Sequence, residues 1–253
     1  RYSGALINQS NSNEFIFTLT AINDSTISDN YIIDICTNER FKFGPIPGGV
    51  VNGTFSWGGN EWMVYLGPDI QLHKVKSDGS MFTQVTFGSE PFKYITWIDE
   101  QTVLSNTVFP NLSPPNRSVL VDIETHEIVD TLDQSYPHPS YYNGKLACDF
   151  GFLGEKEIGY LELDDMEFIP LFSLIPYSEF GDVRQIDWLD EEHIIWIDKK
   201  GIHKINIISQ EETLLIEFCE NADIYAMSVF PEKDGRLLLS RTEQWPINEQ
   251  VLF

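Results

Sequence analysis

Cysteine is scarce in this chain. Cys36, Cys148 and Cys219 are the only three in 253 residues and no two form a C-x-x-C pair, so neither a zinc site nor a disulfide framework is indicated. One bridge with one free thiol is compatible with the count, and three buried small apolar side chains are the simpler expectation. Basic residues are also few: 16 Lys and Arg stand against 39 Asp and Glu, a formal net charge of −23. Such a surface repels phosphate backbones, so nucleic-acid binding by this segment is not expected. No apolar run approaches the roughly 18 residues of a membrane span, and the N-terminus lacks the charged and apolar regions of a signal peptide. Membrane insertion by this segment is therefore not expected. The chain starts at Arg1 instead of Met and stops in Val251-Leu252-Phe253, which suggests a domain of a longer protein.

Catalytic motifs are missing as well. There is no G-x-S-x-G elbow, no Gly-rich phosphate loop and no D-x-D-x-D-G calcium loop. His126, His138 and His193 have no H-x-x-x-H or H-E-x-x-H spacing, so no metal site and no cofactor is expected. Acid pairs at Asp99-Glu100, Asp164-Asp165 and Asp190-Glu191-Glu192 fall where hairpin turns are predicted, and there they are expected to face water instead of acting as acid and base. The expectation is a protein without catalytic residues. Five N-x-S/T sequons, at Asn8, Asn23, Asn52, Asn111 and Asn116, read as turn chemistry.

What the chain has is aromatic residues, 13% of the total, and a repeat. Phe55-Ser-Trp-Gly-Gly-Asn-Glu-Trp-Met-Val-Tyr-Leu66 parallels Ile95-Thr-Trp-Ile-Asp-Glu-Gln-Thr-Val-Leu-Ser-Asn106, and Ile186-Asp-Trp-Leu-Asp-Glu-Glu-His-Ile-Ile-Trp-Ile197 is a third copy. Each has an aromatic residue at a strand end, a short turn and an apolar strand. The anchors Trp57, Trp97, Tyr142, Trp188 and Phe230 are 40, 45, 46 and 42 residues apart, the length of a propeller blade. Within one period four strand signals follow without helical periodicity: Val183–Trp188, His193–Asp198, Ile202–Ile208 and Thr213–Phe218. Leu72-His73-Lys74-Val75 and Ile202-His203-Lys204-Ile205 fall at nearly the same place in two repeats, as architectural echoes.

The prediction is an all-β, six-bladed β-propeller of four-stranded antiparallel blades, one domain over 1–253 with blades near 1–47, 48–88, 89–133, 134–175, 176–220 and 221–253. The last blade runs out of chain after three strands, so it is incomplete or completed by the N-terminal strand.

At these residues, and at Phe230-Pro-Glu-Lys-Asp-Gly235, the chain from about Val50 onward resembles the TolB-like, WD40-like propellers built from W-S-P-D-G repeats. It departs from them where Gly58-Gly59 and Ile98-Asp99 follow the tryptophans, so the Pro-Asp-Gly turn is lost in most blades. The resemblance implies the periplasmic part of a membrane-anchored, CadC-like transcription regulator: an extracytoplasmic, non-catalytic recognition or sensor domain for a protein or small ligand. An accessory or gating propeller of a prolyl-oligopeptidase-type hydrolase is the second reading, and a WD-repeat-like scaffold the third. By strand parity the Pro-rich loops gather Phe109, Tyr136, His138, Tyr177, Phe180 and Trp245 on one face, which makes these six the candidate partner-binding residues.

Overall fold

The computed structural model describes residues 2–7, 14–20, 28–34, 37, 39–43, 55–57, 61–109, 116–136, 139–150, 156–174, 185–198, 200–218, 224–230, 236–241 and 250–252. Among them there is no helix. Every sheet is an antiparallel meander, as expected where β-branched and aromatic runs alternate with turn residues.

Two compact units divide the chain, Arg1–Ser135 and Tyr136–Phe253. The first holds three four-stranded sheets: β1 (Tyr2–Ile7), β2 (Glu14–Thr20), β3 (Ser28–Asp34) and β4 (Arg40–Phe43); β5 (Phe55–Trp57), β6 (Trp62–Leu66), β7 (Leu72–Lys76) and β8 (Thr83–Gln84); β9 (Lys93–Trp97), β10 (Thr102–Val108), β11 (Asn116–Asp122) and β12 (Glu127–Thr131). The second holds β13 (Ser140–Tyr142), β14 (Lys145–Phe150), β15 (Lys156–Glu162) and β16 (Glu167–Leu174); β17 (Gln185–Asp190), β18 (His193–Ile197), β19 (Gly201–Asn206) and β20 (Glu212–Glu217); and a three-stranded sheet of β21 (Ile224–Phe230), β22 (Arg236–Arg241) and β23 (Gln250–Leu252). Of the two alternatives for the last blade, three strands without a fourth is what the described residues show. β1 pairs antiparallel with β2 as the edge of the first sheet.

All five aromatic anchors sit in the first strand of their sheets, and register explains their regularity. Trp57 pairs with Met63, Trp97 with Val103, Trp188 with Ile194 and Phe230 with Arg236, six residues on in each case. Tyr142 instead pairs with Lys145 across Asn143-Gly144, both at positive φ (46° and 79°), a two-residue turn of the kind that Asn-Gly favours.

Trp97 is 3% exposed and Trp188 fully buried, as expected of residues packed between sheets. Trp97 joins Val64, Leu72, Val103 and Val121 in the core of the first unit. Trp188 joins Ile158, Ile186, Ile194 and Trp196 in that of the second. Its rings lie near Tyr142 and Tyr160 of the preceding sheet, at 6.1 and 6.0 Å between centroids, and its Nε1 donates to the Ser140 carbonyl at 3.0 Å. Ser140 in turn donates its hydroxyl to Asp187. One indole thus fastens β17 to β13 by both packing and a directional bond.

Third and fourth strands meet closely where the register shifts. A Cβ on Gly201 would lie 1.9 Å from the Ile216 carbonyl oxygen, and one on Gly159 would lie 2.2 Å from that of Ile169. Both glycines are there to make room for backbone, not to supply unusual dihedrals.

Candidate functional site

Seven aspartates occupy turns, and they bond to backbone there. Asp69 accepts from Gln71 N, Asp78 from Ser80 N, Asp165 from Glu167 N and Asp190 from Glu192 N. Asp99 accepts from Gln101 and Thr102, Asp122 from Glu124 and Thr125, and Asp198 from Lys200 and Gly201. A carboxylate two residues before an N–H is the natural cap of a tight turn. The acid pairs expected to do no more than face water therefore also close hairpins. The Ser80 hydroxyl, with the Ser80 N–H, holds Asp78 below the usual carboxylate range, and the N–H groups of Thr125 and Glu124 do the same for Asp122.

Histidines are the second element of the arrangement, and two of them occupy equivalent stations. His203 on β19 lies flat against Trp196 on β18, ring centroids 5.0 Å apart and planes 7° apart. Its Nε2 is 3.1 Å from Asp198 Oδ1 in the turn before it, and its Nδ1 is 2.7 Å from Glu212 Oε1 on β20. Burial acts to lower its pKa, but the bonds to Asp198 and Glu212 outweigh burial and raise it above 6.5. Burial likewise opposes ionisation of Asp198, whose bonds to His203 and to the turn N–H groups bring it below the usual range. In the first unit His73 on β7 stacks on Tyr65 of β6 at 5.4 Å, with Nε2 2.9 Å from Asp69 Oδ1. There Gln84 on β8 donates to the other oxygen of Asp69. Burial and the charge of Asp69 push Tyr65 up to about 12.

Each station ties the second, third and fourth strands of a sheet at one end. Both nitrogens of His203 face carboxylates, an arrangement that favours the protonated ring and leaves neither nitrogen open to act as a base. His193 is engaged as well, by Asp190 at 2.8 Å and by Asn206 at 3.2 Å. Among the described residues no cluster of His, Cys, Asp and Glu could hold a metal ion. Cys148 is a buried free thiol, its pKa raised well above the ordinary value by burial and by neighbouring Asp149.

The six aromatic candidates fare unequally. Phe109 is half-buried and packs against the core of the first unit. Tyr136 is only 6% exposed and lies along Phe150, centroids 6.1 Å apart, so it packs instead of standing free as a binding anchor. His138, Tyr177, Phe180 and Trp245 lie outside the described residues. In the first unit the link that leads to Tyr136 is pinned from below. Asn106 accepts from the Ser118 hydroxyl at 2.6 Å and donates to Ser135 at 2.8 Å, while Gln134 accepts from Ser118 N.

The histidine stations were not anticipated as bonded units. The Asp-to-His spacing, four residues in Asp69–His73 and five in Asp198–His203, together with an aromatic residue before each aspartate, is the signal that marks them.

No family model and no curated protein matches the chain. Solved structures do. A puromycin hydrolase aligns with 95% of this chain at 12% identity and a TM-score of 0.65, and the chain spans 43% of that protein. An oligogalacturonate lyase aligns over 92% of this chain and 84% of its own at 10% identity and a TM-score of 0.58. Hsv2p of Kluyveromyces lactis aligns over 95% of this chain and 71% of its own at 11% identity, also with a TM-score of 0.58. At these identities the likeness speaks to fold alone, and the fold is a WD40-like β-propeller.

Proposed function

We propose that the chain is a non-catalytic recognition domain: one closed propeller of six blades over 1–253, forming the extracytoplasmic part of a larger membrane-anchored regulator, and binding a protein through its loops. The observation that carries this reading is the internal use of the chain's reactive side chains. Among the described residues, His73, His193 and His203 bond to carboxylates, and the turn aspartates bond to backbone N–H groups. Groups committed to holding strands together are poorly placed to exchange protons with a substrate. WD40-like neighbours, a class that generally mediates protein interactions, support the same reading. The periplasmic placement is what the resemblance to TolB-like propellers implies.

Within this proposal His138, Tyr177, Phe180 and Trp245 are the contact groups, while Tyr136 packs on Phe150 and Phe109 on the core of the first unit. A second reading has one specific observation in its favour. The chain matches 43% of a puromycin hydrolase, which fits an accessory propeller beside a catalytic domain. The two are separated by assaying the purified chain against peptide, ester and oligosaccharide substrates and, in parallel, recovering its partner by cross-linking from the native host. A saturable protein partner without turnover supports recognition. Turnover abolished by a single acid substitution, or a hydrolase domain encoded in the same polypeptide, contradicts it.

A further inference from the structure

β20 is the outermost strand of its sheet, paired on one side to β19, and among the described residues no strand lies beyond it. All six of its residues are exposed. A solvent-facing edge strand is normally kept polar, since its alternate N–H and C=O groups are a template for another chain. Here the middle of the strand is Leu214-Leu215-Ile216, exposed by 41, 39 and 39%. Ile208, 74% exposed, extends this apolar surface at the turn before the strand. The turn is held by Asn206, whose side-chain oxygen accepts from Ile208 N and Ser209 N, so Ile208 is presented on fixed backbone.

Three consecutive apolar residues on an open edge call for a cover. The charges choose among covers. Glu212 and Glu217 are the only ionisable side chains of β20, and Glu211 precedes it. A second copy of the chain, paired antiparallel across a twofold axis, would set Glu212 against Glu217 at both ends and add another net charge of −23. A segment with an apolar middle and basic flanks would instead meet complementary groups at both ends. On the neighbouring strand Lys204 stands opposite Thr213 and His203 bonds to Glu212, so Glu211 at one end and Glu217 at the other are the acids that would meet a basic flank.

We infer that β20 docks an extended segment of a partner protein, apolar at its centre and basic at its ends, by strand addition to the Glu212–Glu217 edge. This rests on the recognition reading and locates a contact for it apart from the loops.

The test uses an N-acetylated, C-amidated nonapeptide of alternating valine and threonine with two lysines at each end, and a counterpart with four glutamates. Fluorescence anisotropy of the labelled peptides gives affinity, and amide hydrogen exchange of the protein gives location. The lysine peptide is expected to bind saturably, at least tenfold tighter than the glutamate peptide, and to slow exchange in Thr213–Glu217. Glu211→Lys with Glu217→Lys should weaken it at least tenfold, while Asp164→Lys on another sheet should leave it unchanged. Leu215→Lys, which places a charge in the apolar centre of an exposed strand, should weaken it by a similar factor. Absence of binding, equal affinity for both peptides, protection elsewhere, or a concentration-dependent dimer lost on Leu215→Lys would overturn the inference. None of these outcomes touches the loop contacts at Tyr177 and Trp245, so the edge can fail while the recognition reading stands.

Discussion

His203 lies parallel to Trp196 at 5.0 Å, and the same imidazole is bracketed by Asp198 and Glu212. A protonated ring there is stabilised by the aromatic face and by two anions at once, and its burial makes each of those interactions count for more. The station is a clamp on three strands whose strength depends on pH.

Because its folded-state pKa is raised, His203 contributes stability that is complete below about 6.5, the unfolded value, and is lost as pH rises through the folded value. Glu212→Gln removes one anion and is expected to destabilise by on the order of 1 kcal/mol at pH 6, with the deficit shrinking towards pH 9. Urea unfolding of both proteins across that range checks it. A deficit that grows with pH would show that the ring is neutral in the folded state.

The lowered carboxylates work in the opposite direction. Asp69, Asp122, Asp190 and Asp198 contribute stability that is present above their unfolded value of about 3.8 and is lost as pH falls through the still lower folded values. Asp198→Asn keeps the shape but removes the charge beside His203, and should flatten the acid limb of an unfolding-temperature profile. An unchanged acid limb would reassign acid sensitivity to other carboxylates.

Trp188→Phe should lose the bond to the Ser140 carbonyl and part of the buried surface, a change of about 1 to 2 kcal/mol, whereas Trp188→Ala should lose about 3 to 5 kcal/mol. Thermal or urea unfolding measures both. Equal effects of the two substitutions would mean that packing by the ring contributes nothing beyond the bond.

Backbone geometry gives a paired test. Gln210 closes the turn before β20 at φ 58°, and Gln210→Gly should leave stability unchanged or raise it by up to about 1 kcal/mol, since relief of the left-handed strain exceeds the added freedom of the unfolded chain. Gly201→Ala should instead be severe, because the new methyl meets the Ile216 carbonyl and neither strand can yield without breaking the ladder. A mild Gly201→Ala and a damaging Gln210→Gly together would invert the account of the edge strand.

How far the sequence discloses this follows from what each feature depends on. Trp97 and Trp188 are legible because anchor, turn and apolar strand recur at a fixed period, and the six-residue register from Trp188 to Ile194 repeats with them. The strands of β17 to β20 are legible to within two residues for the same reason. The histidine stations are half legible: His73 and His203 stand out as echoes, but the aspartates four and five residues before them read as ordinary turn acids until the rings are seen to bond to them. Tyr136 misleads. The prolines that follow it read as an exposed loop, while its ring lies along Phe150 of β14, fourteen residues on. Leu214-Leu215-Ile216 reads as part of a strand, and the sheet order makes that strand an edge.

The claim that this chain recognises a protein and does not transform a substrate is tested most directly by the affinity of its cross-linked partner for alanine variants of the loop. Isothermal calorimetry on the intact chain should show Tyr177→Ala, Phe180→Ala or Trp245→Ala weakening the partner at least tenfold, and charge reversal at Glu191 changing it less than twofold. Affinity unchanged by every loop variant, or lost only with Glu191, would contradict it.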